Sequence, residues 1–111
     1  MIAEVASAEF TGERLTGKLA GAAAADWAVL GPDGVMSPDV RLTLETDDGA
    51  TVFVQYTGRL DVSRGYPMTV YVTPRFETSD ERYAWLNRIQ AIGKGSLNQD
   101  LSLDYEWYEV R

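Results

Sequence analysis

Two residue types are missing altogether: the 111-residue chain contains no cysteine and no histidine. The first absence removes disulfides, thiolate nucleophiles and thiolate metal ligands. The second removes the usual base near neutral pH, the commonest zinc ligand and every Ser-His-Asp or Cys-His arrangement. Any catalysis therefore has to run on carboxylates, Tyr, Arg, Lys or ordered water, with no cofactor called for. Basic residues are scarce too: 10 Lys and Arg stand against 17 Asp and Glu, a net charge of −7. That balance repels phosphate backbones and acidic bilayers, so neither nucleic acid nor a membrane is expected as a partner. The small apolar tract at residues 19–25 is far too short to span a bilayer, and the first residues lack the pattern of a secretory signal. A cytoplasmic protein is expected.

What is present is aromatic and alternating. Six Tyr, three Trp and three Phe supply large surfaces to bury, and the length suits one domain with a real core. Period-two alternation predicts strands over residues 2–10, 14–20, 26–30, 38–46, 51–58, 68–76, 88–93 and 101–110, separated by breaks rich in Gly, Asp, Pro and Ser. Gly93-Lys94-Gly95-Ser96 is one of those breaks, and a short helix is predicted over 79–86 with Ser79 as its cap. Seven or eight short strands close most economically into a small antiparallel β-barrel, because closure removes exposed edges.

The hairpin at Asp47-Asp48-Gly49 fixes a register. A two-residue turn would mix polar and apolar residues on both faces. A three-residue loop with Gly49 left-handed pairs Leu44 with Val52, Leu42 with Val54 and Val40 with Tyr56. It leaves Arg41, Thr43, Glu45, Thr51 and Gln55 together on the other face. The strand over 68–76 divides likewise, with Thr73, Arg75 and, just beyond, Glu77 on its polar side.

Several segments, in order, resemble a bacterial family, the domain of unknown function 3237. They are Phe10–Gly17, Ala25-Asp26-Trp27, Pro32-Asp33-Gly34, Val40–Ala50, Thr73–Thr78 and Tyr83–Asn87. The most specific is Pro74-Arg75-Phe76-Glu77-Thr78 with Tyr83-Ala84-Trp85-Leu86-Asn87. The resemblance implies a small antiparallel barrel with no established activity. Against the family pattern, an N-terminal strand is missing and the connection over 59–67 is short. An open seam is therefore expected, closed either by a second protomer, in a homodimer or higher homo-oligomer, or by a shifted strand over Ile2–Phe10.

Two orientations remain open at this point. Either the aliphatic face fills the barrel and the charged face meets solvent, or the charged face lines a ligand cavity. In the second, Arg75 and Arg41 hold a small anionic or carbonyl-bearing organic ligand, with Glu77 or Glu45 transferring a proton in a cofactor-free lyase or isomerase step. Thr73, Trp27, Tyr83, Trp85 and Asn87 complete the expected ligand contacts. In the first, the protein is a non-catalytic homo-oligomeric module and the same residues are structural. Asp26, at a strand start, reads most simply as a turn or cap residue.

Overall fold

The computed structural model describes residues 2–5, 8–12, 14–21 and 24–110. Within these the chain forms β1 (Ile2–Glu4), β2 (Glu9–Phe10), β3 (Gly17–Leu19), β4 (Ala25–Trp27), β5 (Val29–Leu30) and β6 (Val35–Ser37). Next come β7 (Asp39–Thr46), β8 (Thr51–Asp61), β9 (Met68–Val72), β10 (Arg75–Glu77), β11 (Ala91–Leu97) and β12 (Leu103–Glu109). A 3-10 turn at Val62–Arg64 and a 3-10 helix at Glu81–Arg88 are the helical pieces among the described residues. The main antiparallel path runs β1-β4-β7-β8-β9-β11-β12, and among the described residues no pairing joins its two ends. The result is a curled, barrel-like sheet with a seam.

The β7–β8 hairpin has the register the alternation predicts: Leu44 opposes Val52, Leu42 opposes Val54 and Val40 opposes Tyr56. The loop works because Gly49 takes a φ of 90°, costly for a residue with a Cβ. Thr46 completes it, its Oγ1 accepting from Ala50 N at 2.8 Å.

Leu44, Val52 and Val54 are fully buried, and Val40, Leu42, Val70, Val72 and Phe76 join them in one core. Each such side chain contributes about 1.5–3 kcal/mol of apolar burial. The apolar face is the concave one. Tyr56 on β8 and Trp107 on β12 lie three strands apart, about 14 Å in a flat sheet, yet their rings meet with centroids 5.4 Å apart.

Three local differences from the expected elements have physical causes. Pro74, with no N–H to donate, interrupts the strand expected over 68–76 into β9 and β10, although the two halves keep one register against β8. The helix runs over Glu81–Arg88, two residues later than expected, and Asp80, not Ser79, caps it by accepting from Arg82 N at 2.9 Å. Gly93 and Gly95 lie inside β11 and are not a turn. They face Trp107 and Tyr105 across the β11–β12 pair, where a Cβ on Gly93 would come within 2.8 Å of Trp107 Nε1 and one on Gly95 within 2.9 Å of Tyr105 Cε1. The glycines make room for aromatic rings lying against the sheet. Of the strand expected over 2–10, residues 6 and 7 lie outside the described residues. No helix among the described residues is long and apolar enough to cross a membrane.

Candidate functional site

Strand register sorts every candidate side chain onto a face. Arg41 opposes Gln55, which opposes Arg75, so β7, β8 and β10 carry the three in one row on the convex face. Phe53 stands between Thr43 and Glu77 in the next row, and Glu45 opposes Thr51 and Lys18 further along. The charged residues of that group are exposed. Arg41 approaches Asp39 Oδ2 at 3.8 Å and lies 5.6 Å from the ring of Trp27, which is exposed on the same face. Thr73 and Arg75, with Gln55, Tyr56, Thr57 and Gln90, line a shallow open depression of about 500 Å³. Thus Arg41, Arg75, Thr73, Trp27, Glu45 and Glu77 do share a surface, and it is the outer one.

Tyr83, Trp85 and Asn87 lie elsewhere, on the 3-10 helix that covers the core with Leu86. Tyr83 and Trp85 pack against the core, and Tyr83 donates its hydroxyl to Asp48 Oδ1 at 2.8 Å. Trp85 carries the Arg14 guanidinium 3.7 Å above its ring. Both ends of the Asn87 amide are used on one residue: Oδ1 accepts from Thr78 N and Nδ2 donates to Thr78 O, each at 2.9 Å. Asp48 also receives Arg82 Nη1 at 3.3 Å, so this turn residue ties the hairpin to the helix.

The concave face holds a different polar group. Asp26 on β4 opposes Val40, which opposes Tyr56, so the carboxylate shares the inner face with the phenol. Asp26 Oδ1 accepts from Asp39 N at 2.9 Å. Burial raises the Asp26 carboxyl above its ordinary range, with the neighbouring Asp39 carboxylate adding to the rise and that hydrogen bond opposing it. Asp39 Oδ1 is itself buried and has no hydrogen-bond partner among the described residues.

Tyr56 and Tyr105 complete the group. Burial drives the Tyr56 phenol strongly upward, and the hydroxyl of Tyr105 and the charge of Asp26 push it further. Tyr105 is raised by burial and by the charge of Asp26. Asp26 lies on β4, flanked by β1 and β7, while Tyr105 lies on β12, at the other end of the strand path. Trp107 stands edge-on to Tyr56 at 5.4 Å and to Phe76 at 6.0 Å, with Tyr105 at 5.8 Å. Among the described residues no Lys or Arg occupies an inner-face register position in the paired strands.

In chemical terms the concave face carries a half-buried carboxyl of raised pKa and two buried phenols held protonated, hence hydrogen-bond donors at physiological pH. Among the described residues no group of three or more acidic side chains is placed to hold a metal ion. The sequence signal for Asp26 was its place two residues before buried Ala28, but a strand of three residues gives too little alternation to say which way it points.

A curled antiparallel barrel with a carboxylate and phenols on its concave face is thus the class. The family model described as "Protein of unknown function (DUF3237)" matches residues 1–110, and the chain belongs to that family. Among curated relatives, a UPF0311 protein of Rhodopseudomonas palustris is 28% identical over 112 residues, covering 89% of this chain and 72% of that protein. The hydroalkoxylation enzyme phnH of Penicillium herquei is 33% identical over 76 residues, which cover 68% of this chain but only 45% of the enzyme. A solved β-barrel-like protein of Acinetobacter baumannii superposes with a TM-score of 0.87 at 27% identity, covering 99% of this chain and 77% of that one. The crystal structure of a conserved Rhodopseudomonas palustris protein of unknown function gives a TM-score of 0.86 at 24% identity, covering 99% and 80%, a likeness of fold alone.

Proposed function

We propose that the protein is a cofactor-independent enzyme of proton transfer, adding a hydroxyl across a conjugated double bond or running the reverse elimination, at Asp26, Tyr56 and Tyr105. The observation that carries this reading is the register that sets the half-buried Asp26 carboxyl on the concave face with the Tyr56 phenol, burial raising the pKa of the carboxyl. The similarity to a hydroalkoxylation enzyme over 68% of the chain supports the reaction class.

The step balances without a cofactor. Asp26 carboxylate takes the proton of the substrate hydroxyl, and the oxygen forms a C–O bond to the β-carbon of an unsaturated carbonyl. The displaced π pair moves to the carbonyl oxygen, which accepts a hydrogen bond from a phenol. The Asp26 carboxyl then returns its proton to the α-carbon. Donors aimed at the developing oxyanion in a dry site supply much of the rate acceleration in such chemistry. Positioned proton transfer contributes about 10²–10⁴-fold. The test is turnover of hydroxy-enones by wild type against Asp26→Asn: loss of activity with the fold intact supports the reading, and unchanged turnover sinks it.

A second reading has one observation in its favour, the depression at Thr73, Arg75 and Gln55. There the row of Arg41, Gln55 and Arg75 would dock an anion on the outer face, with Glu77 or Glu45 as proton carriers. Arg75→Ala separates it from the first, since only this reading requires that guanidinium. Closure of the seam by a second copy of the chain is a further proposal, and light scattering tests it: a strict monomer at micromolar concentration counts against it.

A further inference from the structure

We infer, resting on the outer-face reading, that the depression at Arg75 binds a small planar aromatic monocarboxylate, its carboxylate on the Arg75 guanidinium and its ring over Thr73 toward Ile92.

The hydrogen-bonding groups come first. None of the six residues lining the depression is acidic, in a chain with 17 Asp and Glu. Among the described residues Arg75 forms no ion pair, and the hydroxyls of Thr57 and Thr73 and the amide of Gln55 have no hydrogen-bond partner. Arg41, by contrast, is already turned to Asp39 and Trp27. The backbone holds this set in place. Thr73 N donates to Thr57 O at 3.0 Å, which keeps the two threonines side by side, and Gln90 Nε2 donates to Pro74 O at 3.1 Å across the break between β9 and β10. A guanidinium fork near unspent hydroxyls suits a carboxylate, which it can bind through two parallel hydrogen bonds.

Charge limits the ligand to one carboxylate. Arg75 is the single cation in the lining. Two acids stand just outside it: Asp39 opposes Thr57, and Glu77 follows Arg75 on the same side of β10. A dianion such as phosphate would bring more charge than one guanidinium offsets, in a chain of net charge −7. A monocarboxylate matches Arg75 one to one.

The surface beside the depression sets the rest of the ligand. Val72 opposes Gly93 on the inner face, so Thr73 and Ile92 are the next outward-facing neighbours, and Tyr108 opposes Ile92. Tyr71, Ile92 and Tyr108 are 50 to 57% exposed, so the polar floor gives way to an open apolar and aromatic surface. Lys94 lies 5.9 Å from the Tyr71 ring and the Tyr108 hydroxyl donates to Glu106 Oε2, contacts that hold both rings in position. From strand spacing, Ile92 lies about 8 Å from Arg75, one strand over and two residues along. A flat ring on a short planar linker spans that distance and offers a face to Ile92 and the tyrosines.

The test compares four probes: cinnamate, cinnamamide (the same body without charge), acetate (the charge without a ring) and inorganic phosphate. Binding is read from backbone amide NMR shifts. Cinnamate is expected to bind at least about tenfold more tightly than each of the others and to shift Thr57, Thr73 and Ile92. Arg75→Ala is expected to lose that advantage over cinnamamide, and Ile92→Ser to weaken cinnamate while leaving acetate as it was. Both side chains are exposed, and amide spectra unchanged elsewhere show that the fold is kept. Cinnamamide binding as tightly as cinnamate, or cinnamate binding untouched by Arg75→Ala, would overturn the inference. Acetate or phosphate binding as tightly as cinnamate, and only with Arg75 present, would leave an outer-face anion site standing and remove the aromatic ligand class. If no probe shifts these amides up to millimolar concentration, the inference and the outer-face reading fall together.

Discussion

Tyr56 and Trp107 are three strands apart in the sheet and yet meet edge to face, their ring planes 72° apart. That contact exists only because the sheet curls with its apolar side inward, and it decides the question that alternation leaves open. The aliphatic stripe fills the barrel, the arginine row looks outward, and Asp26, Tyr56 and Tyr105 are the polar groups that share the inner face.

The two faces should respond unequally to substitution. Leu44→Ala or Val54→Ala removes buried methyl groups and is expected to cost about 2–5 kcal/mol for the leucine and somewhat less for the valine in urea unfolding. Glu45→Gln, Arg75→Ala and Glu77→Gln, on the exposed face, are expected to stay within about 0.5 kcal/mol of wild type. Comparable losses on both faces would contradict the assignment.

Asp26 makes a pH-dependent prediction whose sign is fixed. Its folded-state pKa is raised, so the folded chain holds that proton more tightly than the unfolded one. The ionised carboxylate therefore destabilises the fold above its folded pKa, and the penalty fades as pH falls through the raised value toward the ordinary one. Asp26→Asn keeps an acceptor for Asp39 N and carries no charge, so it is expected to raise Tm near neutral pH and to lose that advantage in mild acid. A substitution that lowers Tm equally at both pH values would contradict the burial of the charge.

Asp48 has the opposite sign. Its carboxyl is held low, first by the Thr46 hydroxyl and then by Tyr83, with Arg82 contributing. Its stabilising contribution is present above the ordinary carboxylate pKa and is lost as pH falls through the lowered value. Asp48→Asn should therefore flatten the acid limb of the stability curve and loosen the 3-10 helix, read by faster amide exchange at Glu81–Arg88.

Gly93→Ala and Gly95→Ala test the glycine–aromatic register. Each adds one methyl group where a ring lies against the backbone, and overpacking of this kind costs about 1–3 kcal/mol. The Gly93 variant should also shift tryptophan emission, since Trp107 is the ring displaced.

Much of this was legible in the chain. The β7–β8 register followed from requiring one coherent apolar face, with Gly49 supplying the left-handed residue a three-residue loop needs. The outer row of Arg41, Gln55 and Arg75 was correctly gathered on one face. The inner site was not legible, for two reasons. Gly93 and Gly95 read as a break because glycine weakens strands, whereas here the missing Cβ is what lets Tyr105 and Trp107 lie down. Asp26 sits in a strand too short to show its parity, so its direction came only from the pairing with Val40. Asn87 read as a ligand amide because nothing local reveals that its partner is the backbone of Thr78, nine residues upstream.

The most direct measurement is a carboxyl NMR titration of Asp26 in the free protein. The account predicts a midpoint clearly above the ordinary aspartate range, moving downward in Tyr105→Phe if solvent gains access through the seam. An ordinary midpoint, indifferent to Tyr105, would mean that the Asp26 carboxyl is solvated and would remove the basis for an interior site.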